Sequence, residues 1–280
     1  MLALMFPFAA VFLGALLGLA PVSRDTVRVA RTQSCPLAWP VLDVAVLGDD
    51  RFLLLLPTRV LLSRLAQNEI AALSEVSLPE PYAVVRAPAG VIRMSDDRLN
   101  AWLLTNVASG ALLVAFENDR LVSRLHADAL PWPGSSMGVS FQEGTNLLKA
   151  SLDLLGDGPF LSLAPIGPGL AVMDDGRLKI AAPEGGRTVD DLRVGPTLAP
   201  LFESLVASST SRPPGASDKI LVLAPDDSGF QIAQSLSLEH SVRALGSRVQ
   251  GATALLAVVT EAADGSRLFH VLELRGSARR

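Results

Sequence analysis

The sequence has one cysteine, three histidines and no excess of basic residues. A lone thiol, Cys35, makes no internal disulfide, and paired-cysteine zinc or redox sites are excluded. His126, His240 and His270 are spread along the chain, which argues against a histidine-rich metal site. The 24 Lys and Arg against 28 Asp and Glu leave a net charge of −4, with no basic stripe. Nucleic acid is therefore excluded as a partner on electrostatic grounds. Aromatics make up 5% of the chain, so packing must rest on aliphatic side chains.

What is present is apolar. Hydrophobic residues form 49% of the 280 positions, enough for a large core and for one or two domains. The N-terminal run "MLALMFPFAAVFLGALLGLA" is uncharged, and the first charge is Arg24. It reads either as a secretory signal peptide, with Gly18 and Ala20 as the small residues before a cut, or as a retained signal anchor. A hydrocarbon core needs about 20 apolar helical residues, so residues 2–20 suffice, with Pro7 disturbing the first turns. Both readings export the remainder, to the periplasm, the extracellular space or an anchored position at a membrane. Membrane contact is then expected only through residues 2–20, if they stay uncleaved. Cys35 follows "RTQS" and lacks the small-apolar lead-in of a lipidation site. The chain therefore divides into a leader over 1–23, a connector over 24–40 and a folded domain over 41–276.

The folded part is a series of five- to eight-residue apolar runs punctuated by Gly, Pro, Asp, Asn and Ser. Such runs read as strands. Residues 59–76 are read as strands too, while 144–155 suits either a short helix closed by Gly156 or an irregular crossover. One short phrase recurs: "AVLGDDRFLLLLP", "IRMSDDRLNAWLL", "VAFENDRLVSRL", "AVMDDGRLKIAAP", "VLAPDDSGFQIAQ" and "VVTEAADGSRLFHVLEL". Asp, Asn and Gly between apolar runs are hairpin chemistry, because Asp and Asn bond back to the local backbone and Gly takes positive φ freely. The turns centre near residues 49, 96, 118, 175, 227 and 264. Spacings of about 40–50 residues suit four-stranded propeller blades. Blade-like units fall at 42–78, 89–130, 136–189, 195–238 and 241–274. The expected fold is all-β: a β-propeller of about five to six irregular four-stranded blades, preceded by an apolar N-terminal helix. Stacking such units radially buries faces that a single unit leaves exposed. A β-sandwich is the alternative.

The segments "LDVAVLGDDRFLLLLPTRVLLSRL", "DKILVLAPDDSGFQIAQSL" and "LLAVVTEAADGSRLFHVLEL" resemble the degenerate FG-GAP or VCBS-repeat propellers of exported bacterial proteins. The resemblance implies a propeller with calcium-binding loops. It makes Asp49, Asp50, Asp174 and Asp175 the candidate calcium ligands. A calcium ion takes six to eight oxygens, and these turns lack the alternating carboxylates that the family's loop carries, so a plain turn is the expected role. No other cofactor is implied.

No catalytic constellation emerges. "GSSMG" places Ser136 in a G-x-S-x-G pattern, but Pro133 precedes it and a β-type run follows, where a nucleophile elbow needs a strand and then a helix. It reads as a Gly/Ser loop. "GDGPF" and "IGPGLAV" lack the Lys-Ser/Thr and helix of a phosphate cradle. The three histidines read as hydrogen-bonded structural groups, and Trp102 and Trp132 as packing aromatics. Arg243 and Arg248 either line a central channel, where they would meet an anionic ligand, or form a solvated edge. The pairs Asp190–Asp191 and Asp226–Asp227 are adjacent on strands, point apart and make poor acid/base pairs. The sequence thus points to an exported, non-catalytic propeller that engages a protein, glycan or envelope partner through its loop face. The alternative is a hydrolase or quinoprotein-like enzyme with its site at the central channel.

Overall fold

The computed structural model describes residues 27–48, 50–78, 90–94, 100–105, 111–117, 120–125, 130–131, 138–141, 148–150, 160–164, 169–180, 187–202, 205–210, 212–213, 215–226 and 229–276. The apolar segment 2–20, Asp49, His126, Trp132, Ser136 and Asp227 lie outside them. Among the described residues all regular structure is strand.

The strands follow one another around a ring. β1 spans Val27–Pro36. β2–β5 (Asp43–Val46, Arg51–Leu55, Arg59–Ala66, Glu69–Ser77) form an antiparallel four-stranded sheet. β6–β9 (Gly90–Met94, Asn100–Thr105, Ala111–Glu117, Arg120–Leu125) form the next. β10–β16 (Leu130–Pro131, Gly138–Phe141, Leu148–Ala150, Phe160–Ala164, Leu170–Met173, Arg177–Ile180, Arg187–Arg193) make one seven-stranded sheet. β17–β20 (Leu198–Leu201, Leu205–Ser209, Asp218–Asp226, Gly229–Leu238) form the fourth. β21–β23 (Ser241–Gln250, Thr253–Glu261, Arg267–Gly276) form the last, in the order β1-β23-β22-β21. Each sheet touches the next and the last touches the first, the contacts β2–β21, β2–β6, β13–β17 and β17–β21 placing β2, β6, β13, β17 and β21 innermost. This is a five-bladed β-propeller arrangement, and a two-layer sandwich is ruled out by the closed circuit.

Two expectations need correction. Part of the proposed connector is a strand: β1 pairs along β23 from Val27↔Gly276 to Pro36↔Leu268 and completes the last blade. Its sequence hides this because an outermost strand needs few apolar residues, and most of β1 is exposed. One blade also has seven strands where four were expected. The short β12 pairs with β13 at a single position, Leu148↔Phe160, and so carries the ladder on from β10–β12 into β13–β16.

The apolar runs explain the stacking. In β3, Phe52 and Leu54 pack towards the last blade, while Leu53 and Leu55 pack towards the β6–β9 blade. In β22, Ala257 and Val259 face β2–β5, whereas Ala254, Leu256 and Val258 face β17–β20. In β19, Ile220, Val222 and Ala224 face the last blade, and Leu221 and Leu223 face β13–β16. Side chains alternate across a strand, so a strand covered on both faces is written as an unbroken apolar run. At the join between the first and last blades, Phe52 and Phe269 meet edge to face with ring centroids 4.9 Å apart.

The hairpins show why the turn phrase recurs. The Asp175 carboxylate accepts from the Arg177 amide at 3.1 Å, and that of Asp264 from the Ser266 amide at 2.9 Å. The glycine after each aspartate, Gly176 or Gly265, sits at φ 83° or 81°. Each aspartate thus closes its own turn by bonding the backbone two residues on. The β4–β5 hairpin does the same work without Asp or Gly: Gln67 and Asn68 take φ 50° and 66°, the two left-handed residues of a type I′ turn.

Candidate functional site

Most of the buried side chains on the described inner strands are apolar. Val44, Ala45 and Val46 of β2, Ile92 of β6, Leu198, Ala199 and Leu201 of β17, and Val242, Ala244 and Leu245 of β21 are all buried. Packing is tight there. A β-carbon on Gly246 of β21 would overlap the Val44 carbonyl oxygen of β2. Ser247 Oγ donates to the Pro200 carbonyl, tying β21 to β17.

Two buried aspartates bind blades together. Asp43 Oδ2 accepts from the Ile92 amide at 2.9 Å and from Arg93 Nη1 at 2.6 Å, linking the β2–β5 and β6–β9 blades. Burial pushes its carboxyl up despite Arg93. Asp218 Oδ1 accepts from the Thr210 amide and hydroxyl and from the Lys219 amide, while Oδ2 accepts from the Val242 amide of the next blade at 3.0 Å. Burial raises its carboxyl, but these donors outweigh it and hold the group below the usual range.

Polar groups from separate blades converge elsewhere, in a cleft of about 580 Å³ between the last blade and the β2–β5 blade. Its walls carry Arg31 and Gln33 from β1, Arg248 and Gln250 from β21, and Glu273 from β23. The β2–β5 blade adds Asp50 after β2 and Gln67 from the β4–β5 turn. Leu65, Leu255 and Val271 supply an apolar floor. The volume lies in the range of small-ligand sites. Asp50 is held by Arg64 at 3.0 Å and Glu273 by Arg275 at 3.1 Å. Gln33 Nε2 also donates to Asn68 Oδ1 at 3.2 Å, joining β1 directly to the next blade.

The residues singled out from sequence fall as follows. Arg248 lines this cleft, whereas Arg243 binds Glu261 at 2.7 Å together with Arg267 at 3.1 Å. Of the calcium candidates, Asp50 reaches the cleft and binds Arg64; Asp175 binds Arg177 at 2.5 Å and its turn backbone, and those bonds hold its carboxyl down. Asp174 is exposed in the same turn, on a different blade from Asp50. His270 bridges Ser34 Oγ at Nδ1, 2.7 Å away, and Thr260 Oγ1 at Nε2, 3.0 Å away. Burial lowers its pKa, so at neutral pH the ring donates through one nitrogen and accepts through the other. Asp190 and Asp191 lie in β16, and Trp102 in β7 is half-buried. Sequence reading missed Arg31, Gln33, Gln67, Gln250 and Glu273. Their signal was faint: long polar side chains on an edge strand, at a strand end, in a turn or, for Glu273, within a strand paired on both sides.

No family model and no curated protein sequence matches the chain. Solved structures do. One, from Thermus thermophilus and provisionally assigned as an oxidoreductase (glucose dehydrogenase), superposes over 86% of this chain and 99% of its own with a TM-score of 0.53 at 12% identity. At that identity the likeness shows the fold: this chain has the β-propeller architecture of that protein.

Proposed function

We propose that the chain is an exported, non-catalytic propeller module that binds a protein or glycan partner through the cleft between its first and last blades. The observation that carries this reading is where the polar groups gather. Inner strands bury Val, Leu, Ile and Ala between neighbouring blades and approach to within a glycine's width at Gly246, whereas Arg, Gln, Asp and Glu from five strands and turns meet in the cleft. The apolar leader supports delivery out of the cytoplasm, by cleavage or as an anchor.

The second reading is a propeller enzyme with its site at the centre, as the sugar-dehydrogenase description of the Thermus thermophilus protein would suggest. Two assays separate the readings. A photo-crosslinking residue at position 31, on the cleft wall, is expected to form an adduct in producing cells. The adduct should vanish when Thr253→Trp fills the cleft. Dye reduction that depends on both a sugar and an added quinone is expected to be absent. Robust quinone-dependent sugar oxidation, unaffected by Thr253→Trp, would replace the binding reading with the enzymatic one.

A further inference from the structure

We infer that the cleft takes a neutral, polyhydroxylated chain, an oligosaccharide segment, which bridges the first and last blades. This deepens the binding-module reading and rests on it. The wall chemistry is the first argument. A sugar hydroxyl both donates and accepts, so a matching wall offers donors, acceptors and groups that do both. Arg31 and Arg248 are pure donors, Asp50 and Glu273 pure acceptors, and Gln33, Gln67 and Gln250 carry both an amide N–H and a carbonyl oxygen, those of Gln33 being engaged by Asn68 and Arg31.

Charge is the second argument. Asp50 and Glu273 are held in ion pairs with Arg64 and Arg275, so the described lining presents both signs within paired groups, and a neutral chain meets donors and acceptors there without needing a charge of its own. The floor is the third. Leu65, Leu255 and Val271 give an apolar surface under a polar rim, which suits the C–H faces of pyranose rings between their hydroxyl edges.

Position adds a mechanical consequence. Arg31 and Gln33 stand on β1, the strand that closes the ring, while Gln67 stands on the facing β4–β5 turn. A direct polar link between these two parts is the Gln33–Asn68 hydrogen bond. A ligand spanning the cleft therefore braces ring closure, and linkage makes the closed propeller more stable with the ligand bound.

The test uses the full chain in detergent with three neutral hexaoses, chitohexaose, cellohexaose and maltohexaose, and with hexagalacturonate as the anionic comparison. At least one neutral hexaose is expected to raise the melting temperature and slow amide exchange along β1. Arg31→Ala should weaken its binding about tenfold, as expected for loss of a charged donor, and Thr253→Trp should abolish it. Tighter binding of hexagalacturonate than of every neutral hexaose would overturn the inference, as would binding unchanged by both variants, or no hexaose binding. If no hexaose binds but the position-31 crosslink still forms and still responds to Thr253→Trp, the ligand class is wrong and the binding module stands. If the crosslink is absent too, both readings fall.

Discussion

Asp43 and Asp218 hold equivalent posts, each accepting a backbone amide from the next blade, yet their environments push them in opposite directions. Asp43 is raised, because burial disfavours its charged form more than Arg93 and its hydrogen bonds favour it. Its stabilising contribution is full below about pH 4, the unfolded value, and is lost as pH rises through the higher folded value. Asp218 faces the same desolvation, but its hydrogen bonds win and its folded pKa is lowered. Its contribution is full above about pH 4 and is lost as pH falls through the lower folded value. Asp218→Asn must also set an amide N–H₂ against a backbone N–H, because both Asp218 oxygens accept. That substitution is expected to cost about 1–3 kcal/mol at pH 7. Denaturant melts between pH 3 and 7 check the signs. The native chain should lose its advantage over Asp218→Asn on acidification and gain on Asp43→Asn; parallel slopes would refute the assignment.

At the scale of the strand and turn, the apolar runs were the legible part. "FLLLL" is unbroken because both faces of β3 are covered, and the acidic turns were readable because Asp and Gly solve a local backbone problem wherever they occur. β1 was not legible, since its role is to pair with β23 and not to bury side chains. Nor was the Gln67–Asn68 turn, where Asn68 stands without the Asp or Gly that marks the other turns. Asn68→Ala is expected to destabilise by about 1 kcal/mol, while Asn68→Gly should be tolerated, because only Gly and Asn adopt this left-handed conformation at little cost. Thermal melts of the two variants check this, and equal losses would show that the side chain and not the backbone matters. Gly246 answers to a different constraint, since a β-carbon there meets the Val44 carbonyl. Gly246→Ala should cost about 1–3 kcal/mol by overpacking, measured as a shift in denaturation midpoint with an unchanged slope.

Across the whole molecule, the sequence could be read blade by blade because each blade is local, but the cleft could not. Its walls come from residues 31–33, 50–67, 248–255 and 271–273, and only closure of the ring brings the two ends of the chain together. The Phe52–Phe269 contact lies on that same join, one ring from the β2–β5 blade and the other from β23. Both side chains are fully buried, so each single change to Ala should cost about 3–5 kcal/mol. If the first and last blades are packed as one body, the double variant should cost less than the sum. The difference should be about 0.5–1.5 kcal/mol, the coupling of an edge-to-face pair. A ring that opens readily at this join would give additive losses instead. The cycle therefore measures closure itself, independently of whatever the adjoining cleft binds.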